Sequence, residues 1–303
     1  MTKNYEKYLR KKKCVIFLFH GVYRKEKFNV INYTNKHISE QKFIKILKKL
    51  SIKGKCISID EAYNRIKFKK KFDDYSFVIT FDDGFYNNFS VALPILKNFN
   101  FPAVFYLTYN FINYGLSSWT DQIEYIVEKS GGGKFKTTLG KFEFSKTKKS
   151  KIYFLKKIRK ILKGSRKVDP YKFIDKIADE LKFKKNYRKL NFSIFKKMNW
   201  GNVIRMSKNK LSTIGGHSKN HDILSRLSNK KIKNDISFTI RAINKKLKKK
   251  IKHFSYPEGT KGTYGQREIK ILKKEGIKIC PSANFGFNDN RSNLFHLKRI
   301  NVN

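Results

Sequence analysis

The sequence predicts an α/β fold, a parallel sheet or barrel with helices on its outside. Three observations predict it. Short apolar runs rich in β-branched and aromatic residues alternate with segments whose apolar residues recur at helical spacing. His20, Asp82-Asp83, His217 and Pro257 each fall at the C-terminal end of a predicted strand, where parallel α/β barrels assemble their sites. The 303 residues, 40% of them hydrophobic, are enough for one large barrel with a real core.

Met1–Lys13 is a basic lead-in. Cys14–Phe19 follows as a buried strand that runs into His20-Gly21. Residues 38–50 predict an amphipathic helix, with Ser39 as N-cap and Phe43, Ile46, Leu47 and Leu50 on one face. Cys56–Ile59 reads as a strand and Asp60–Ile66 as a short helix. Phe77–Phe81 is a buried strand, Ser90–Asn98 a helix, and Ala103–Leu107 another strand. Residues 113–195 break this rhythm. They read as a helix from Ser118 to Lys129 carrying Trp119, a hairpin over 134–144 turning at Leu139-Gly140, and Lys-rich helices around 149–163 and 170–182. The stretch reads as an insertion within a single domain spanning 1–303, because each piece is short, amphipathic and in need of the barrel to bury against. The rhythm resumes with a helix over Trp200–Lys208, a strand over Leu211–Gly215 and a long basic helix over 229–249. Strands at His253–Tyr256, Ile277–Pro281 and Leu294–Val302 complete the chain, with a helix at Glu268–Lys274 between the first two.

The chemistry concentrates in two stretches. Phe77–Phe81 ends abruptly in Asp82-Asp83-Gly84. A buried strand that delivers two carboxylates to its end places charge where charge is costly, unless a metal, a partner or a substrate meets it. A lone Asp-Asp-Gly is more often an ordinary solvated turn. The second stretch changes the balance: in Gly215-Gly216-His217-Ser218-Lys219-Asn220-His221, two imidazoles four apart can bind one divalent metal. Two histidines and one carboxylate make a complete catalytic set with positions left for water and substrate.

Thr80-Phe81-Asp82-Asp83-Gly84, His217-Ser218-x-x-His221 and Phe254-Ser255-Tyr256-Pro257-Glu258-Gly259 together resemble the polysaccharide deacetylase family, carbohydrate esterase family 4. The resemblance covers most of the chain from Cys14 on, with a divergent middle. It implies a distorted (β/α)7-type barrel. It also implies a metal held by Asp83, His217 and His221, zinc by ligand softness and number with cobalt as the alternative. Asp82 would be the general base, and the backbone N–H of Glu258, after Pro257, would help hold the oxyanion. Tyr256, Pro257, Glu258 and Trp119 are expected at the substrate. The family's general acid is a histidine in Leu-x-His, and this chain has two: Leu18-Phe19-His20 and Leu294-Phe295-His296. His20 directly follows an apolar strand, as in permuted members similar to poly-N-acetylglucosamine deacetylases, and is favoured over His296. Two departures stand out. Ser255 replaces the arginine that the family often has ahead of the proline, and Glu258 replaces an aromatic. Glu258 either repels an acidic substrate or pairs with Lys261. His37 and His253 read as structural.

Net charge is +47, from 70 Lys+Arg against 23 Asp+Glu. Such charge attracts polyanions, anionic lipid included, so peripheral contact with an anionic membrane is expected. The basic residues are spread along the chain, and no helix-turn-helix, RNP or zinc-finger pattern appears, so no specific nucleic acid is expected. Cys14, Cys56 and Cys280 read as buried thiols, and with no signal-peptide pattern the expected setting is cytoplasmic. The reading is thus a metal-dependent N-deacetylase acting on a carbohydrate that carries an N-acetyl group. Its rivals are a catalytically inactive glycan-binding relative and a basic nucleic-acid-binding protein.

Overall fold

The computed structural model describes residues 4–137, 139–165 and 168–303. Met1–Lys3 of the basic lead-in and Thr138 of the hairpin lie outside them. The central strand is β5 (Ser76–Phe81), every residue of which is buried. It pairs in parallel with β1 (Cys14–Phe19), from Cys14↔Ser76 to Phe19↔Phe81. On its other side lie β4 (Lys55–Cys56) at the start and β6 (Ala103–Leu107) at the end. β6 pairs with β9 (Ser212–Gly216).

From β9 the ring is carried by single parallel bridges: Gly216↔Phe254, His253↔Ile279 and Pro281↔Leu297. β10 (Arg299–Asn301) then pairs in parallel with β1 and closes it. Seven parallel segments therefore surround the axis, in agreement with the (β/α)7-type barrel. Three of the segments expected as strands are reduced to one or two rungs. Proline explains part of this: Pro257 and Pro281 have no N–H to continue a ladder.

Serine side chains start the first two helices. Ser39 accepts from the Lys42 N–H at the head of α1 (Glu40–Lys53), and Ser58 from Glu61 N–H at the head of α2 (Ile59–Lys67). α1 buries Phe43, Ile46, Leu47 and Leu50, the face expected for it. Further round are α3 (Leu93–Asn98) and α4 (Tyr109–Tyr114). A short parallel pair, β2 (Gly21–Tyr23) with β3 (His37–Ser39), brackets the loop after β1.

The insertion contains α5 (Trp119–Lys129), the hairpin β7 (Gly133–Thr137) and β8 (Gly140–Phe144), α6 (Lys148–Gly164) and α7 (Pro170–Glu180). The expectation that each piece needs the barrel to bury against is corrected here. Ile123, Phe135, Phe144, Phe154, Ile158, Phe173 and Ile177 form an apolar cluster of their own, to which the rest of the chain adds only Val30 among its buried members. Three amphipathic helices and a hairpin can close a core on one another when their stripes face inward. Backbone bonds from Ser117 to the Arg188 carbonyl, and from Leu190 to the Ser117 hydroxyl, tie the base of the insertion together. After it come α8 (Trp200–Ser207), α9 (Asn229–Leu247) and α10 (Gln266–Lys274). Among the described residues no helix is long and apolar enough to cross a membrane.

Candidate active site

The C-terminal ends of β1, β5 and β9 and of the segment ending at Tyr256 meet around one cleft. A cavity of about 310 Å³ is lined there by His20, Lys36, Asp82, Asp83, Trp119, His217, His221 and Glu258, among others. A second cavity of about 560 Å³ shares Trp119, Lys163, His221 and Glu258 with it, so the two form one continuous cleft.

Asp83 leaves β5 with a positive φ of 75°, and Gly84 follows at 79°. A side chain at Gly84 would meet Ile112 at 2.7 Å, so the turn needs glycine on both counts. The turn aims Asp83 Oδ1 at the two imidazoles, 3.2 Å from His221 Nε2 and 3.6 Å from His217 Nε2. His217 Nδ1 lies 2.8 Å from the Ser255 carbonyl. That acceptor requires Nδ1–H, which leaves Nε2 as the free lone pair on the cleft side. The His221 N–H donates to Ser218 Oγ, and its ring stacks on Phe111.

One ligand atom from each of Asp83, His217 and His221 lies within 4.8 Å of the others. Asp83 Oδ1 is buried and accepts no hydrogen bond. An ionised oxygen buried beside two imidazole nitrogens completes a donor set that a divalent metal fits. Burial works against the Asp83 carboxylate, yet His221, His20 and Lys36 hold its pKa well below the usual range.

Asp82 faces the same space but is held differently. Arg299 grips both its oxygens, Nη1 to Oδ1 at 2.9 Å and Nη2 to Oδ2 at 2.8 Å. The same guanidinium donates to Ser255 Oγ at 2.9 Å and to the Ser282 carbonyl at 2.6 Å. Burial raises the Asp82 pKa, but Arg299 and His217 more than offset it, and the group stays ionised. Sequence reasoning missed Arg299. It supplies from β10 the arginine expected ahead of Pro257, and Ser255 at that place takes one of its bonds. The signal was present in Leu297-Lys298-Arg299-Ile300, but only the pairing of β10 with β1 brings it to Asp82.

His20 lines the cleft, with Nδ1 buried and unpartnered. Burial pushes its pKa down to about 4, against the pull of Asp83 and Asp82. His296 lies outside both cavities and meets Tyr264. His37 and His253 are buried among structural partners, Asn87 and Asp60.

The substrate residues divide. Trp119 lines both cavities. Pro257 is buried and sets up the turn into Glu258, whose N–H has no acceptor among the described residues. The Glu258 carboxylate pairs with Lys163 of α6 at 2.7 Å, not with Lys261, because the insertion brings α6 over the cleft. Tyr256 is 1% exposed, stacks on Tyr264 and donates to the Phe295 carbonyl, so its side chain faces the core and not the substrate space. In an extended segment neighbouring side chains alternate in direction, and Ser255 takes the inward place.

Residues 177–280 match the polysaccharide deacetylase family model. No curated protein sequence matches the chain. Solved structures share its fold over nearly its full length. The deacetylase PplD of Streptococcus pyogenes, in complex with acetate, has a TM-score of 0.61 at 14% identity, covering 96% of this chain and 92% of that one. IcaB of Ammonifex degensii has 0.60 at 15%, covering 98% and 94%. A de-N-acetylase of Aggregatibacter actinomycetemcomitans has 0.55 at 15%, covering 95% and 94%. The family model spans the His217-Ser218-x-x-His221 and Phe254–Gly259 motifs, and the solved structures share the fold that the resemblance implies.

Proposed function

We propose that this protein is a metal-dependent hydrolase that removes the N-acetyl group from an amino sugar, free, linked or within a saccharide. One observation carries the reading. At one end of the barrel a three-donor set, Asp83, His217 and His221, stands beside a second carboxylate, Asp82, whose two oxygens are both taken by Arg299. Asp83, His217 and His221 would hold a divalent metal, zinc by donor type with cobalt as substitute, which when bound would polarise the acyl oxygen and lower the pKa of a water.

The chain's own residues do the rest. Asp82 accepts the water proton as the oxygen–carbon bond forms. Arg299 keeps that carboxylate ionised and oriented, which separates a base from a ligand although the two are adjacent in sequence. The Glu258 N–H is free to donate to the oxygen that gains charge. His20, neutral at the start, passes on to the nitrogen the proton that Asp82 took from the water as the carbon–nitrogen bond breaks, and acetate and a free amine leave. Trp119 offers a flat apolar wall for a sugar ring.

The setting we propose is surface-polysaccharide metabolism, on a nucleotide- or lipid-linked sugar in the cytoplasm, with the basic surface resting against anionic lipid. The charge of +47 supports the lipid contact. Cell fractionation that placed the protein outside the inner membrane would overturn that setting.

The test is acetate release from UDP-linked, lipid-linked and oligomeric N-acetyl sugars, run as purified, after chelation, and after zinc or cobalt is restored. Metal-dependent acetate that vanishes in Asp82→Asn is expected. A protein that binds the metal but releases no acetate from any of them would be a glycan-binding relative, and one that binds no metal would contradict the site.

A further inference from the structure

Lys36 belongs to none of the motifs, yet its ammonium lines the cleft beside His20, Asp82 and Asp83. It lies 4.0 Å from Asp83 Oδ2. The two oxygens of Asp83 are thus told apart: Oδ1 faces the imidazoles and Oδ2 faces a cation.

The cation is mounted on the insertion. Lys36 Nζ donates to Asp121 Oδ1 at 2.7 Å, and Asp121 Oδ2 accepts from Lys197 at 2.9 Å. Asp121 and Lys197 are both buried. The loop that carries Lys36 is held by the same helix. Val30 and Ile31 N–H donate to Glu128 Oε2, and Asn32 N–H donates to Glu124 Oε2. Asp121, Glu124 and Glu128 stand three and four residues apart, so they share one face of α5. A chain with only 23 acidic residues places three of them on this one loop.

We infer that Lys36 is a positioning residue for Asp83, and that α5 of the insertion is its mount. Lys36 holds Oδ2 to itself and so fixes Oδ1 as the oxygen offered to the metal. The inference rests on Asp83, His217 and His221 being the metal set. Without Lys36, Oδ2 is free to turn toward the metal as well and to take a position that water or substrate needs. Metal binding then survives while turnover falls, a division that a merely structural lysine does not produce.

The experiment uses the full chain, stripped of metal and titrated with cobalt by calorimetry and visible absorption, with acetate release measured on the best substrate of the panel. Lys36→Met is expected to bind cobalt at least as tightly as wild type, with an altered visible spectrum. Its kcat should fall about tenfold or more at similar KM. Lys36→Arg should restore most of the loss. Asp121→Asn, which frees Lys36, should act in the same direction, and adding Lys36→Met to it should cost little more. A folded Lys36→Met with wild-type kcat, or a cobalt affinity lost in proportion to kcat, overturns the inference. If Lys36→Met does not fold, Asp121→Asn and Lys36→Arg decide in its place: the inference fails if Asp121→Asn keeps wild-type kcat. Wild type that binds no cobalt refutes the metal reading itself, which is a separate result.

Discussion

Asp83, Ser218, His221 and Glu258 all hold left-handed backbone conformations, with φ of 75°, 66°, 64° and 57°. None is glycine, and each such residue costs on the order of 1–2 kcal/mol. Four of them around one cleft mean that packing enforces the strain and that the side-chain directions depend on it. The histidines can be compared at the same scale. His20 and His296 stand in the same Leu-x-His triplet, and only the first lines the cleft. His20→Ala is expected to lower kcat by roughly 10²- to 10⁴-fold, the usual worth of a general acid, while His296→Ala stays near wild type. The reverse ranking in acetate-release kinetics would reassign the acid.

At the scale of the element, α9 explains how the histidine loop is held. Ser228 caps the helix, and two turns in, buried Asp235 accepts the Lys219 N–H at 3.0 Å, between the two histidines of the loop. Burial pushes the Asp235 pKa up to about 7. The unfolded carboxyl ionises near pH 4, so between about 4 and 7 the folded state binds the extra proton. Asp235 therefore makes stability fall as pH rises through that window. Asp235→Asn keeps an acceptor and removes the titration. Its Tm relative to wild type should improve by a few degrees between about pH 5 and pH 8. A difference that does not change with pH would mean that Asp235 is ionised throughout. The insertion is also an element with a function: α5 holds the Lys36 loop, α6 covers Glu258 through Lys163, and Arg226 reaches the carbonyls of Leu162 and Lys163 at the end of α6.

Across the whole molecule, closure and charge pull in opposite directions. The C-terminal strand completes the ring only by returning to β1, and Tyr5 at the other end of the chain bonds Asn303. Against that closure stands a net charge of +47, spread over the chain and self-repelling. Added salt shortens the range of that repulsion. Tm is expected to rise from low to physiological sodium chloride and then level off. A Tm that falls over the same range would show that the ion pairs outweigh the repulsion.

The strand-and-helix rhythm, the Asp-Asp-Gly turn, the paired histidines and the strand-end place of His20 are all local, and the sequence by itself determined them. A run of apolar residues that stops at two carboxylates, or two imidazoles four apart, specifies its geometry within one turn of chain. The cations that make the site were decided by tertiary structure alone. Arg299 lies 217 residues from Asp82, and Lys163 lies 95 from Glu258. Among 70 lysines and arginines no local pattern marks the one that barrel closure will bring to a buried carboxylate. The same holds for Tyr256, whose motif placed it at the substrate and whose packing against Tyr264 turned it to the core. The candidate donors were legible because each stands in a short local motif, Asp82-Asp83-Gly84 or His217-Ser218-Lys219-Asn220-His221. Their counter-charges were not, because long-range closure chooses them and only burial makes one pairing far better than another.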